Sequence, residues 1–143
     1  LLGQRVTDIL ALVAALRAHP PLKGRRLALA ALGKMTVPAL FAAALDPSIS
    51  SLYLAGGLVS FQNVVETENH DHPFADFVPN LLQHTDLPEV AASVAPRRVV
   101  VAGAVDGRNK RLPPEAVQRV YQAASNIEVR AEAALANDLT ELL

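Results

Sequence analysis

Three groups of residues have types and spacing suited to chemistry. The first lies in "RRLALAALGKMTVPALFAAALD", residues 25–46, a short apolar run, a turn and a helical pattern. A strand–turn–helix of this kind can present a nucleophile on a strained tip. Here the tip carries no serine, cysteine or aspartate: Gly33 occupies it, followed by Lys34 and Met35. Lys34 acts as an activated amine only where a pocket desolvates it, and at a surface turn it is a solvated cation. The second group is the insert "VVETENHDHPFADF", residues 64–77. If "NHDH" is extended, His70 and His72 face one side, and Glu66, Glu68, Asp71 or Asp76 could complete a site for zinc or another divalent cation. Such clusters also occur in solvated surface loops. The third is Asp106 in "VVVAGAVDG", placed to act as a carboxylate at a strand tip or as a turn former bonded to its own backbone. Thr36 and Ser60 add hydroxyls near strand tips, where helix capping is their ordinary use. No residue pattern calls for a cofactor.

These residues are carried by alternating elements. "VTDILALVAALRAHP" places Val6, Ile9, Leu10, Leu12, Val13 and Leu16 at helical spacing, predicting a helix over 5–18 capped by Thr7 or Asp8. "RRLALAAL" is too short for a helix and has the character of a strand buried on both faces. "TVPALFAAALDP" predicts a helix with Thr36 as N-cap and Pro38 in its first turn. "SSLYLAGG" and "RRVVVAGAVDG" are further strands ending in glycine, and "PPEAVQRVYQAAS" is a helix with Val117, Val120 and Tyr121 on one face. "IEVRAEAAL" alternates charged and apolar residues as an edge strand does. Strands alternating with helices imply an α/β fold: three αβα layers around a mostly parallel sheet, with ligands bound beyond the carboxyl ends of the strands.

Composition narrows the classes. The 143 residues, 51% of them hydrophobic, suit one domain over 1–143. A net charge of -1 gives no basic field for nucleic acid. No apolar run approaches the roughly 18 residues that cross a bilayer, so no membrane partner is expected. The absence of cysteine removes disulfides and thiolate metal sites and leaves the compartment open. "KGRR", residues 23–26, reads as a solvated strand entry.

The succession "RRLALAALGKMTVPALFAAALDP", "ISSLYLAGG", a long insert and "DLPEVAASVAPRRVVVAGAVDG" resembles the carboxyl-terminal half of an α/β-hydrolase. More narrowly, "FVPNLLQHTDLPEVAASVAPRRVVVAGAVDG" resembles the acetyl xylan esterase-like hydrolases. The resemblance implies a nucleophile elbow, G-x-S-x-G, over Ala31–Met35, with Gly33 at the serine position and Met35 where a glycine belongs. It also implies a triad acid at Asp106 and a triad histidine near 134–138, whereas no histidine follows His84. Glycine adopts the elbow backbone freely, so this exchange keeps the turn and removes the reactive group.

The resemblance covers only the second half of such a fold, and the chain opens at Leu1 directly before a helical pattern. The expectation is a portion of a longer polypeptide. Strand 26–32 would then lie inside the whole sheet and would here expose an edge for the missing N-terminal half or another chain. Two classes compete. One is a degenerate, non-catalytic hydrolase-like domain with a structural, interaction or carbohydrate-binding role, taking a carbohydrate or ester ligand. The other is a carboxylic-ester hydrolase whose reactive groups lie outside this segment or in a metal site at His70 and His72.

Overall fold

The computed structural model describes residues 1–142. Four parallel strands, β1 (Leu27–Leu32), β2 (Ile49–Ala55), β3 (Arg98–Ala102) and β4 (Ile127–Arg130), form one sheet in the order β1-β2-β3-β4. Between and around them run α1 (Leu2–Ala18), α2 (Thr36–Leu45), α3 (Phe61–Glu66), α4 (Leu87–Ser93), α5 (Pro114–Val120) and α6 (Leu135–Leu142). The α/β class and the parallel sheet follow as the alternation of apolar runs and helical patterns requires.

One sheet face holds the main core. Leu52 and Leu54 of β2, Val99 and Val101 of β3, Leu40 of α2, Val90 of α4 and Val117 of α5 join it, and α1 adds Leu2, Val6 and Val13. The opposite face carries a smaller cluster of Tyr53, Ala55, Val100 and Ala102, with Ala28 beside it. Helix α6 covers that face through Asp138, whose carboxylate accepts the Tyr53 hydroxyl.

Several local expectations need correction. Helix α1 begins at Leu2, three residues before the predicted start, and neither Thr7 nor Asp8 caps it: the Thr7 hydroxyl donates to the Gly3 carbonyl inside the helix. Leu12 and Val120, placed by spacing on core faces, are exposed. Thr36 opens α2 without capping it, because its hydroxyl donates to the Gly33 carbonyl at 2.8 Å. β2 and β3 are buried on both faces, but β1 is not. Leu32 is 54% exposed and Ala30 is exposed as well, because β1 is a sheet edge in this structure and α6 packs mainly on β2.

Two approaches fix the upper end of the sheet, where the strand tips lie. A Cβ on Gly57 would meet the Thr36 hydroxyl at 2.0 Å, so only glycine lets the chain leaving β2 pass the start of α2. Asp86 caps α4 in a capping box with Glu89, and the same carboxylate accepts from the Phe61 and Gln62 amides at 2.7 and 3.0 Å. It therefore caps the first turn of α3 as well.

Candidate functional site

The site is built at the carboxyl end of the sheet, where loops leave successive strands. After Leu32, Gly33 turns the chain with φ +53° into a single 3-10 turn that runs straight into α2. This is the left-handed backbone that favours glycine. A Cβ at Gly33 would meet nothing within 4 Å, so backbone conformation alone disfavours a side chain there. Lys34 is exposed, and Met35, standing where the elbow pattern has a glycine, is itself 41% exposed. The loops after β2 and β3 then pair with each other: the Val105 amide donates to the Gly57 carbonyl at 2.9 Å and the Val59 amide to the Val105 carbonyl at 3.0 Å.

Asp106 closes the loop after β3 upon itself. Its Oδ1 accepts from the Arg108 and Lys110 amides at 2.8 and 2.9 Å, and its own amide donates to the Lys110 carbonyl at 2.9 Å. The geometry is that of an aspartate-headed turn. Ser60 serves as the N-cap of α3, its Oγ accepting from the Asn63 amide at 3.0 Å.

The insert is strapped across this loop. The Asp71 amide donates to the Gly107 carbonyl at 2.8 Å, and the Arg108 guanidinium donates from Nε to the Glu68 carbonyl at 2.9 Å. The Gly107 amide donates to Asn63 Oδ1 at 2.8 Å. Buried His72 donates from Nε2 to the Asp106 carbonyl at 3.3 Å, and buried Asp76 pairs with Arg5 of α1 at 2.9 Å.

Beneath the strap lies a cavity of about 250 Å³ lined by Gly33, Lys34, Gly56, His72, Asp76 and Asn109, with Val37, Leu58, Phe61 and Phe77. The structure thus brings Gly33 together with His72. His70 and His72 line different cavities: His70 faces a second space of about 550 Å³ with Val64, Val65 and Leu81, and Phe61 and Phe77 line both. Among the described residues no three histidine or acidic side chains gather in a way that could hold a metal ion. The cavity at the strand tips offers ammonium and amide donors, an imidazole and a carboxylate, a set suited to hydrogen-bonding a polar ligand.

Sequence reasoning missed Asn109 and the pairing of Asp76 with Arg5. Asn109 carries a signal that could have found it: an asparagine two residues beyond Gly107 in a tight loop tolerates the positive φ, +58°, that it adopts. The Arg5–Asp76 pair spans 71 residues and leaves no local trace.

Within 134–138, the stretch where the resemblance implies a triad histidine, stands Asp138, on α6 and under the opposite face of the sheet. Its carboxylate accepts from the Tyr53 hydroxyl, the Arg130 guanidinium and the Ala134 amide. The Tyr53 hydroxyl and the other donors hold this carboxyl below its usual range, while burial, followed by the bond to Asp138, pushes the Tyr53 phenol up to about 12.

No protein-family model matches the chain, and no curated protein is similar to it in sequence. Among solved structures it is similar to one described as a "putative acetyl xylan esterase" from Bacteroides fragilis NCTC 9343, with a TM-score of 0.70 at 16% identity. The match covers 90% of this chain and 36% of that one. The chain has an α/β-hydrolase-like fold and spans about a third of the length of that structure.

Proposed function

We propose that this segment is a hydrolase-like scaffold that binds an ester or carbohydrate at the strand-tip cavity and does not cleave it. Gly33 carries the reading: the backbone turns as an elbow does, and the residue on the turn has no side chain to attack with. Two further features support it. Asp106 commits Oδ1 to its own loop, and His72, the histidine of the cavity, gives Nε2 to a carbonyl. A hydroxyl without a positioned general base is a weak nucleophile.

The test is hydrolysis of 4-nitrophenyl acetate and of acetylated xylo-oligosaccharide by the purified chain. The expected result is no turnover above buffer, unchanged in Asp106→Ala. Turnover abolished by Asp106→Ala overturns the proposal in favour of a carboxylic-ester hydrolase. Gly33→Ser has open space for its side chain. It is expected to fold at a cost of about 1–3 kcal/mol from the positive φ and to remain inactive for want of a base.

The exposed edge of β1 supports a second element of the reading: a further strand, from an upstream half of the polypeptide or from another chain, pairs there. A bare apolar edge is a template for pairing. Sedimentation of the isolated chain is expected to show concentration-dependent association that Leu32→Lys reduces. A monomer at every concentration, with or without that substitution, counts against pairing between copies and leaves an upstream strand as the partner to test in the longer chain.

A further inference from the structure

We infer that the amino-terminal end of the sheet, opposite the strand-tip cavity, holds a phosphate group between Arg26 and Arg97. A cavity of about 420 Å³ opens there, where Arg26 leads into β1, Ser50 and Ser51 stand at the start of β2, and Arg97 and Arg98 enter β3. Its acidic wall residue, Glu141, gives Oε2 to Arg130, and Arg98 is paired with Glu128. Arg26 and Arg97 have no ion-pair partner among the described residues. Two cations therefore face one cavity with their charge unmet.

Arg97 is held in place by neutral groups alone. Its Nη1 donates to the Ala43, Asp46 and Ile49 carbonyls at 2.7, 3.2 and 3.1 Å, and its Nε to the Val94 carbonyl at 3.1 Å. These carbonyls fix the guanidinium without neutralising it, and Nη2 stays open to solvent with no hydrogen bond among the described residues. Arg17 likewise donates to the Arg25 and Ser48 carbonyls, and Lys23, Arg25 and Arg26 of "KGRR" are exposed. Asp46 attracts Arg17 and Arg97 from beyond ion-pair distance, but one carboxylate does not balance these cations. A chain of net charge -1 thus gathers positive charge at this end of the sheet, and such a field draws anions to it. Two unmet guanidinia call for two negative charges. A phosphate group carries nearly that at neutral pH, and the planar guanidinium fork matches its oxygens. The inference does not depend on whether esters are bound or cleaved at the strand tips.

The experiment is a heteronuclear NMR titration of the chain with inorganic phosphate and with glycerol 3-phosphate at fixed ionic strength, with acetate as the singly charged control. The Arg26, Ser51 and Arg98 amides are expected to shift together and to saturate with phosphate, and acetate to bind about tenfold more weakly or less. Binding of inorganic phosphate alone assigns the site to the free ion, and binding of both extends it to a phosphomonoester; either result supports the inference. Arg26 is exposed, so Arg26→Gln retains the fold. It is expected to weaken phosphate binding about tenfold, the loss of one charge-assisted contact. Arg119→Gln removes the same charge from α5, outside the cavity, and should leave the affinity at the parent value. The inference is overturned by a folded parent with no saturable shift, by acetate binding as tightly as phosphate, or by equal losses in Arg26→Gln and Arg119→Gln. Shifts confined to Gly33, Lys34 and Asn109 overturn it too, since they put the anion at the strand tips. The two sites lie at opposite ends of the strands, so failure here and failure of the non-hydrolytic reading are told apart.

Discussion

Replacing Asp138 with alanine lowers the melting temperature by about 5–10 °C and loosens α6 from the sheet. The carboxylate is buried, 5% exposed, and accepts from the Tyr53 hydroxyl, the Arg130 guanidinium and the Ala134 amide. Removing it strands the hydroxyl of a tyrosine that is 0% exposed and takes one carboxylate from an arginine that also binds Glu128 and Glu141. An unmet buried donor is penalised more heavily than an absent one, so Tyr53→Phe, which deletes the hydroxyl and leaves Asp138 its other donors, is the milder change. The pH dependence follows from the direction of the shifts. Asp138 has a depressed folded pKa, so its contribution is fully present above the ordinary aspartate range, about 4, and fades as pH falls through the lower folded value. Tyr53 has a folded pKa raised from 10.0 to about 12, so its contribution is present below 10 and fades as pH rises toward 12. Thermal melts of the parent should lose stability at both extremes, and Asp138→Ala should flatten the acid limb. A melt as high as the parent's at neutral pH would show that this cluster does not hold the helix.

The contrast between that cluster and the sheet shows what a sequence makes legible. β2 and β3 announce themselves because both faces are covered, so apart from Arg98 at the start of β3 and the Tyr53 hydroxyl their positions are apolar or small, and the run needs no partner to be recognised. β4 was readable as an edge from Glu128 and Arg130 alternating with Ile127 and Val129, and the sheet order places it there. β1, all leucine and alanine, is as apolar as the inner strands, but its burial depends on neighbours that no local pattern encodes. The turn at Gly33 was legible because a backbone preference is a local property. The strap over the site was not, since it is held by pairs such as Arg5 with Asp76, and Tyr53 meets Asp138 across 85 residues. His70 and His72 illustrate the limit from the other side. Extended geometry puts alternate side chains on one side, but Asn69 adopts a positive φ and Pro73 follows, and the two imidazoles end in separate cavities. Hydroxyls are equally ambiguous: Ser60 and Thr36 have similar flanks, yet one caps its helix and the other bonds a carbonyl behind it.

Asp86→Ala is expected to cost about 2–3 kcal/mol, more than the loss of an ordinary cap, because one carboxylate ends two helices. Oδ1 accepts from the Leu87 amide at 2.7 Å and the Phe61 amide at 2.7 Å, and Oδ2 from the Gln62 amide at 3.0 Å. The aspartate of the "DLPE" segment is thus the joint that fixes the start of α3 against the start of α4. Asparagine is a good N-cap but has one acceptor oxygen, so Asp86→Asn can serve one helix fully and should fall between parent and alanine in urea unfolding. A consequence at the Phe61 ring separates this from a purely local effect. Phe61, whose amide is released, packs edge-on to Phe77 with ring centroids 5.8 Å apart, so a variant that folds at low temperature should lose nuclear Overhauser contacts between the two rings although neither ring has changed. Glu89→Gln offers the counter-test. It weakens the reciprocal bond to the Asp86 amide, 2.9 Å long, and leaves both helix starts on the carboxylate. The contacts between the two rings should then stay at the parent level, and a loss equal to that of Asp86→Ala would mean that α4, and not the joint with α3, sets the position of Phe61.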